Sequence, residues 1–266
     1  MATSRAKIWR QYLLAEDSDD IHKKRKLYHN LVAMHPFDVS EEVHCQIEKD
    51  LVRTYINNKS LSEKEHTDIK NILVQYVQIM PCDGYIQGFN YLAAVLYDTY
   101  RKDDIEHRMA DTFWSLVTLI GIVRPMIPDH DPNDFFRYTK RWSKYFIEAL
   151  KQKNNRLHCF LEPHYGMVLH MITVKWMLIW FTQLFEIEDT VHLWDALITC
   201  ESGRRTKLMA TIAANIIIQM GDSIEDWARN CPQELHGRIW QLKAKNAKTI
   251  IEESRSSMIE LKLPGV

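Results

Sequence analysis

The stretch SEKEHTDIKNILVQYVQIMPCDGYIQGFNYLAAVLYDTY, residues 62–100, reads as helix, break, helix. Ser62 followed by Glu65 is a capping box, in which each residue satisfies a backbone N–H that the start of a helix leaves unpaired. Apolar residues then recur at helical spacing to Met80, and again from Ile86 to Tyr100. Between the two runs lie Pro81 and two of only 8 glycines in 266 residues, Gly84 and Gly88. Glycine frees the backbone, so this pair can present Tyr85 and Gln87 at a surface ahead of the second helix. The plain alternative is an ordinary glycine-assisted helix start.

The same periodicity runs the length of the chain. It predicts about a dozen helices, near 3–15, 21–34, 41–57, 62–80, 86–100, 104–123, 132–152, 164–185, 189–200, 205–220, 232–247 and 249–262. No strand pattern competes. Glycine falls well below its usual share of about 7%, and Leu, Ile, Met, Lys and Glu are plentiful, so the fold class is all-α. With 46% hydrophobic residues the chain can bury a sizeable core. The run IVRPMIPDHDP (122–132) holds three prolines, and Asp131–Pro132 reads as a helix start. It predicts a seam between an amino-terminal half, about 1–125, and a carboxy-terminal half, about 130–240. Residues 241–266 form a helical extension whose amphipathic stretch either packs back on the domain or docks a partner or membrane surface.

Composition narrows the function classes. Lys and Arg number 34 against 35 Asp and Glu, a net charge of -1, so no global field draws the protein to nucleic acid or an acidic membrane. A folded protein or a small ligand is the expected partner. The cysteines Cys45, Cys82, Cys159, Cys200 and Cys231 are odd in number and form no CxxC pair, which predicts reduced thiols in the cytosol. The amino terminus lacks the apolar core of a secretory signal. The most apolar window, 167–185, includes His170, Lys175 and Gln183 and is expected to be a buried core helix. His158, His164 and His170 are six apart, whereas metal ligation from one helix face needs three or four. The run HKKRK (22–26) is read as a solvated helix face. Motifs of the types GxxxxGK[ST], GxGxxG, HExxH and GxSxG are missing, so nothing marks a nucleotide, metal or acyl nucleophile of the chain's own.

Two further segments carry candidate chemistry. In IEKDLVRTY (47–55), Ile47, Asp50 and Arg53 recur every three residues near a helix end, so Asp50 can hold the Arg53 guanidinium. Taken alone this is a surface ion pair. In RAKIW (5–9), Arg5 and Trp9 share a helix face and signal an aromatic anchor. Gln87, with a donor and an acceptor on one amide, is the kind of group that orients an attacking water.

In this order, RxxxW, IxxDxxR and YxQ resemble the signature of the TBC-domain GTPase-activating proteins for Rab GTPases. Arg5 and Trp9 match the first motif, Ile47, Asp50 and Arg53 the second, and Tyr85 and Gln87 the third, inside GYIQGFN where the family usually has GYxQGMN. Residues 175–204 are similar to the family's carboxy-terminal half through Trp180, Phe181, Phe185, Trp194 and Asp195. Phe89 stands in place of the usual methionine, RTY in place of RTFP, and the chain starts almost at Arg5, where a G-x-P lead-in is common.

The resemblance covers about residues 1–240 and implies a single TBC-type domain of two helical halves. It implies an activator that has no bond-breaking activity alone and supplies residues in trans to a GTP-bound Rab. Arg53 would be an arginine finger and Gln87 a glutamine finger. Asp50 would orient Arg53, Tyr85 would support the Gln87 loop, and Ile47, Gly84, Gly88, Arg5 and Trp9 would be structural. No cofactor is expected, because GTP and Mg²⁺ come with the partner. The resemblance further implies a monomer in the cytoplasm, recruited to endomembranes through its partners. The alternative is a catalytically silent TBC-like scaffold that binds Rab or other trafficking proteins.

Overall fold

The capping box at Ser62 is formed in full. The Ser62 side chain accepts from the Glu65 backbone N–H, and the Glu65 carboxylate accepts from that of Ser62 at 2.9 Å. In the computed structural model, which describes residues 4–14, 17–34, 39–56, 59–101, 106–124, 132–241 and 243–260, the helix so started, Glu63–Ile79, belongs to an all-α fold. The expected seam at 122–132 lies outside the described residues from 125 to 131.

The chain divides into two compact units, Met1–Asp131 and Pro132–Val266. The first holds α1 (Arg5–Leu13), α2 (Ser18–Met34), α3 (Glu41–Leu51), α4 (Glu63–Ile79), α5 (Phe89–Arg101) and α6 (Arg108–Val123). Helix α6 is its centre. Helices α1, α2, α4 and α5 all pack on it, burying Trp9, Tyr76, Tyr97, Tyr100 and Phe113. At the heart of this packing Asp111, fully buried, accepts from Arg10 at 2.7 Å and from Arg25 at 2.7 Å. A buried carboxylate is tolerated only with such partners. Arg25 therefore leaves the solvated face expected for HKKRK, drawn inward by a charge 86 residues away.

The helix expected over 41–57 stops at Leu51. There the Thr54 hydroxyl donates to the Asp50 carbonyl at 2.8 Å and Arg53 N–H folds back to the same carbonyl at 3.3 Å, closing the helix in a tight turn. A two-residue ladder follows, β1 (Tyr55–Ile56) antiparallel to β2 (Lys59–Ser60), which no alternation in so short a segment announces.

The second unit holds α7 (Pro132–Lys153), α8 (Asn155–Leu178), α9 (Ile187–Ile198), α10 (Ser202–Gln219), α11 (Gly221–Asn230), α12 (Leu235–Trp240) and α13 (Ala247–Glu260). Helix α10, buried from Leu208 to Ile217, packs against α7, α8, α9, α11 and α13. Helix α13, the core of the carboxy-terminal stretch, packs back on α9 and α10, and Ser254 meets Asn215 at 2.6 Å in a buried contact. Helix α11 falls in the gap between the expected helices 205–220 and 232–247, and Ile224 and Ala228 bury one of its faces. No described helix is long and apolar enough to cross a membrane.

Helix α8 begins nine residues before the expected 164 and runs through Pro163. Asn154 caps it by accepting from the Leu157 N–H at 3.0 Å. The expected continuation to Phe185 fails at Leu178. Trp180 and Phe181 follow with φ of 50° and 61°, a left-handed conformation that large side chains adopt only when tertiary contacts enforce it. Both are fully buried, Phe181 N–H reaches the Trp176 carbonyl at 2.8 Å, and Trp194 Nε1 donates to the Trp180 carbonyl at 2.9 Å. Trp194→Phe, which strands that buried carbonyl and shrinks the ring, is expected to cost about 2–3 kcal/mol in chemical denaturation.

Candidate functional site

Helix α3 delivers the first part of the site. Ser40 caps its amino end, and Ile47, fully buried, fixes its roll so that Asp50 and Arg53 lie together at its carboxy end. Asp50 is buried, while just over half of the Arg53 side chain is exposed (55%). One carboxylate oxygen of Asp50 accepts from both Nε and a terminal nitrogen of Arg53, with Nε at 3.1 Å. This bond holds the guanidinium further above its ordinary pKa, so it keeps its charge. The pairing expected at this spacing is present, but Arg53 makes it from the turn after the helix.

The second part is the loop that ends at α5. Gly84 and Gly88 have φ of 62° and 115°, values that side chains rarely adopt. Gly84 has open space where a Cβ would stand, so its conformation, rather than crowding, is what calls for glycine. Helix α5 begins at Phe89 instead of the expected 86, which leaves Tyr85–Gln87 outside it and the Gln87 carboxamide exposed.

A phenol joins the two parts. Tyr85 donates its hydroxyl to the second carboxylate oxygen of Asp50 at 2.8 Å. Burial, then the Asp50 charge, pushes its pKa far above the ordinary tyrosine value, so it remains a neutral donor. A single buried carboxylate thus grips Arg53 with one oxygen and the Gln87 loop with the other.

Asn90, fully buried, bolts the same two segments from below. Its amide nitrogen donates to Thr54 Oγ1 at 2.8 Å and to the Asp50 carbonyl at 3.4 Å, and its oxygen accepts from Gly88 N–H at 3.1 Å. The loop's start is held by Asp83, which accepts from Tyr76 at 2.6 Å and from Arg124 at 2.8 Å. Asn90, Thr54, Asp83 and Arg124 support these segments without a motif of their own in the sequence. The one local signal was an Asn and an Asp bracketing the two glycines, since such residues stabilise turns through their side chains. Asn90→Ala, which strands the buried Gly88 N–H and removes the bonds its amide donates to Thr54 and the Asp50 carbonyl, is expected to lower stability by about 2–3 kcal/mol in denaturant titration.

Trp9 is fully buried and α1 packs on α5 and α6, an anchor within the first unit; Arg5 is half-buried. No group of His, Cys, Asp and Glu among the described residues could hold a metal ion. Cys45, Cys82 and Cys159 are exposed free thiols, and Cys200 and Cys231 are half-buried. His170 is bonded to Ser143 rather than held open for a ligand.

A protein-family model described as the Rab-GTPase-TBC domain matches residues 2–223. TBC1 domain family member 2B of Homo sapiens is 29% identical over 158 residues, 57% of this chain and 15% of that protein. Growth hormone-regulated TBC protein 1 of Xenopus tropicalis is 26% identical over 191 residues, 69% of this chain and 50% of that protein. The chain thus spans half or less of the length of these two relatives. Among solved structures, the Ypt/Rab-GAP domain of Gyp1p superposes with a TM-score of 0.74 at 19% identity, covering 97% of this chain and 88% of that one, a likeness of fold.

Proposed function

Since this chain belongs to the Rab-GTPase-TBC domain family, we propose that it accelerates GTP hydrolysis by a Rab GTPase, supplying Arg53 and Gln87 in trans. The observation that carries the proposal is the Asp50 carboxylate, which bonds Arg53 on one side and the loop bearing Gln87 on the other. Phosphoryl transfer asks a protein mainly for position and charge. Negative charge spreads over the γ-phosphate oxygens, and a delocalised, permanently charged fork held in a fixed direction stabilises it without reorganising. Asp50 sets that direction while leaving guanidinium surface exposed. Gln87 offers an amide that accepts from an attacking water and donates to a phosphoryl oxygen.

This division of labour leaves the nucleotide and its metal with the partner. GTP and Mg²⁺ enter bound to the Rab, and the chain's near-neutral charge fits a folded protein surface better than a polyanion. The test is GTP turnover by a panel of purified Rab GTPases with and without the protein. Stimulation of at least one member is expected. A flat panel alongside measurable Rab binding would assign the chain to the silent scaffolds.

A further inference from the structure

The described residues leave seven large apolar side chains exposed, and two of them flank Arg53: Val52 is 73% exposed and Tyr55 57%. The alternation is built in by the backbone. Thr54 is fully buried and tied to Asn90, and Ile56 is buried in the core, so of residues 52–56 it is Val52, Arg53 and Tyr55 that the turn and its short ladder leave exposed. Tyr55 is also where this chain reads RTY instead of the family's RTFP.

Resting on the reading above, we propose that Val52 and Tyr55 form an apolar collar around the finger that docks a GTP-bound Rab through an apolar strip beside its nucleotide, setting affinity and partner choice rather than the chemical step. The occupant follows from what the collar surrounds. Val52 and Tyr55 gain free energy when a partner covers their apolar surface, and they do so without competing for the charge of the guanidinium they flank. A valine and an aromatic ring beside a cation also cost little conformational entropy on docking. A charged or strongly hydrated partner surface would gain nothing from them.

The experiment uses the whole chain and the same Rab panel, loaded with a non-hydrolysable GTP analogue for binding and with GTP for turnover. Val52→Asp and Tyr55→Asp change exposed side chains and should leave thermal unfolding unaltered. Each is expected to weaken binding of the preferred Rab tenfold or more and to raise its KM by a similar factor, with kcat held within about threefold, a change of about 1.4 kcal/mol per tenfold. Tyr55→Phe, which keeps the ring, is expected to restore binding to within about threefold. The inference is overturned if both Asp variants bind and turn over as the parent does. It is also overturned if they lower kcat at unchanged KM, or if no panel member binds the parent. A parent that binds but stimulates no Rab defeats the proposed function instead, and leaves the collar to be judged by binding alone.

Discussion

Arg53→Ala is expected to lower stimulated GTP hydrolysis by about 10³- to 10⁵-fold, the range found when an arginine finger is supplied to Ras, while the protein keeps its fold. In barrier terms this is roughly 4–7 kcal/mol. The fold should survive because the Arg53 side chain is more than half exposed and makes its pair at a helix end, with Asp50 still bonded to Tyr85. Arg53→Lys separates charge from shape. Lysine keeps the positive charge but loses the planar fork that Asp50 holds through two nitrogens, so most of the loss should remain. Single-turnover hydrolysis with a saturating amount of protein, alongside circular dichroism, reads both effects. Near-full stimulation by folded Arg53→Ala would remove Arg53 from the mechanism.

The second large effect is expected at Gln87. Its carboxamide is exposed and α5 starts two residues later, so Gln87→Ala should cost the fold nothing. It should lower kcat by about 10²- to 10³-fold, the usual loss when one aimed hydrogen-bonding group is deleted from a transition state. Gln87→Glu, which keeps the shape but brings a negative charge toward the phosphate, should do no better than alanine. Rates at saturating protein would check this. A fall in affinity alone, with kcat intact, would make Gln87 a docking residue.

These expectations draw on two kinds of information. The all-α class was legible because capping and periodicity are local: Ser62 and Glu65 find each other three residues apart, and apolar positions recur within one turn. The Asp50–Arg53 pair was legible for the same reason. Backbone freedom at Gly84 and Gly88 was expected from their rarity and placement, and both use it by taking positive φ. Helix ends were less legible where long-range contacts override local preference. Trp180 and Phe181 carry good helical spacing, yet Trp194, fourteen residues on, holds them in a left-handed turn.

The sequence by itself determined that this protein is helical and that it carries a carboxylate-held arginine and a glycine-flanked glutamine, since each of those features closes within a few residues. Only the tertiary structure tied together the two segments that carry them. Tyr85 reaches Asp50 across 35 residues and Asn90 reaches Thr54 across 36. Such bonds form only after the packing of α3, α4 and α5 has met the entropy of closing the loop between them, and no spacing rule along the chain encodes that closure.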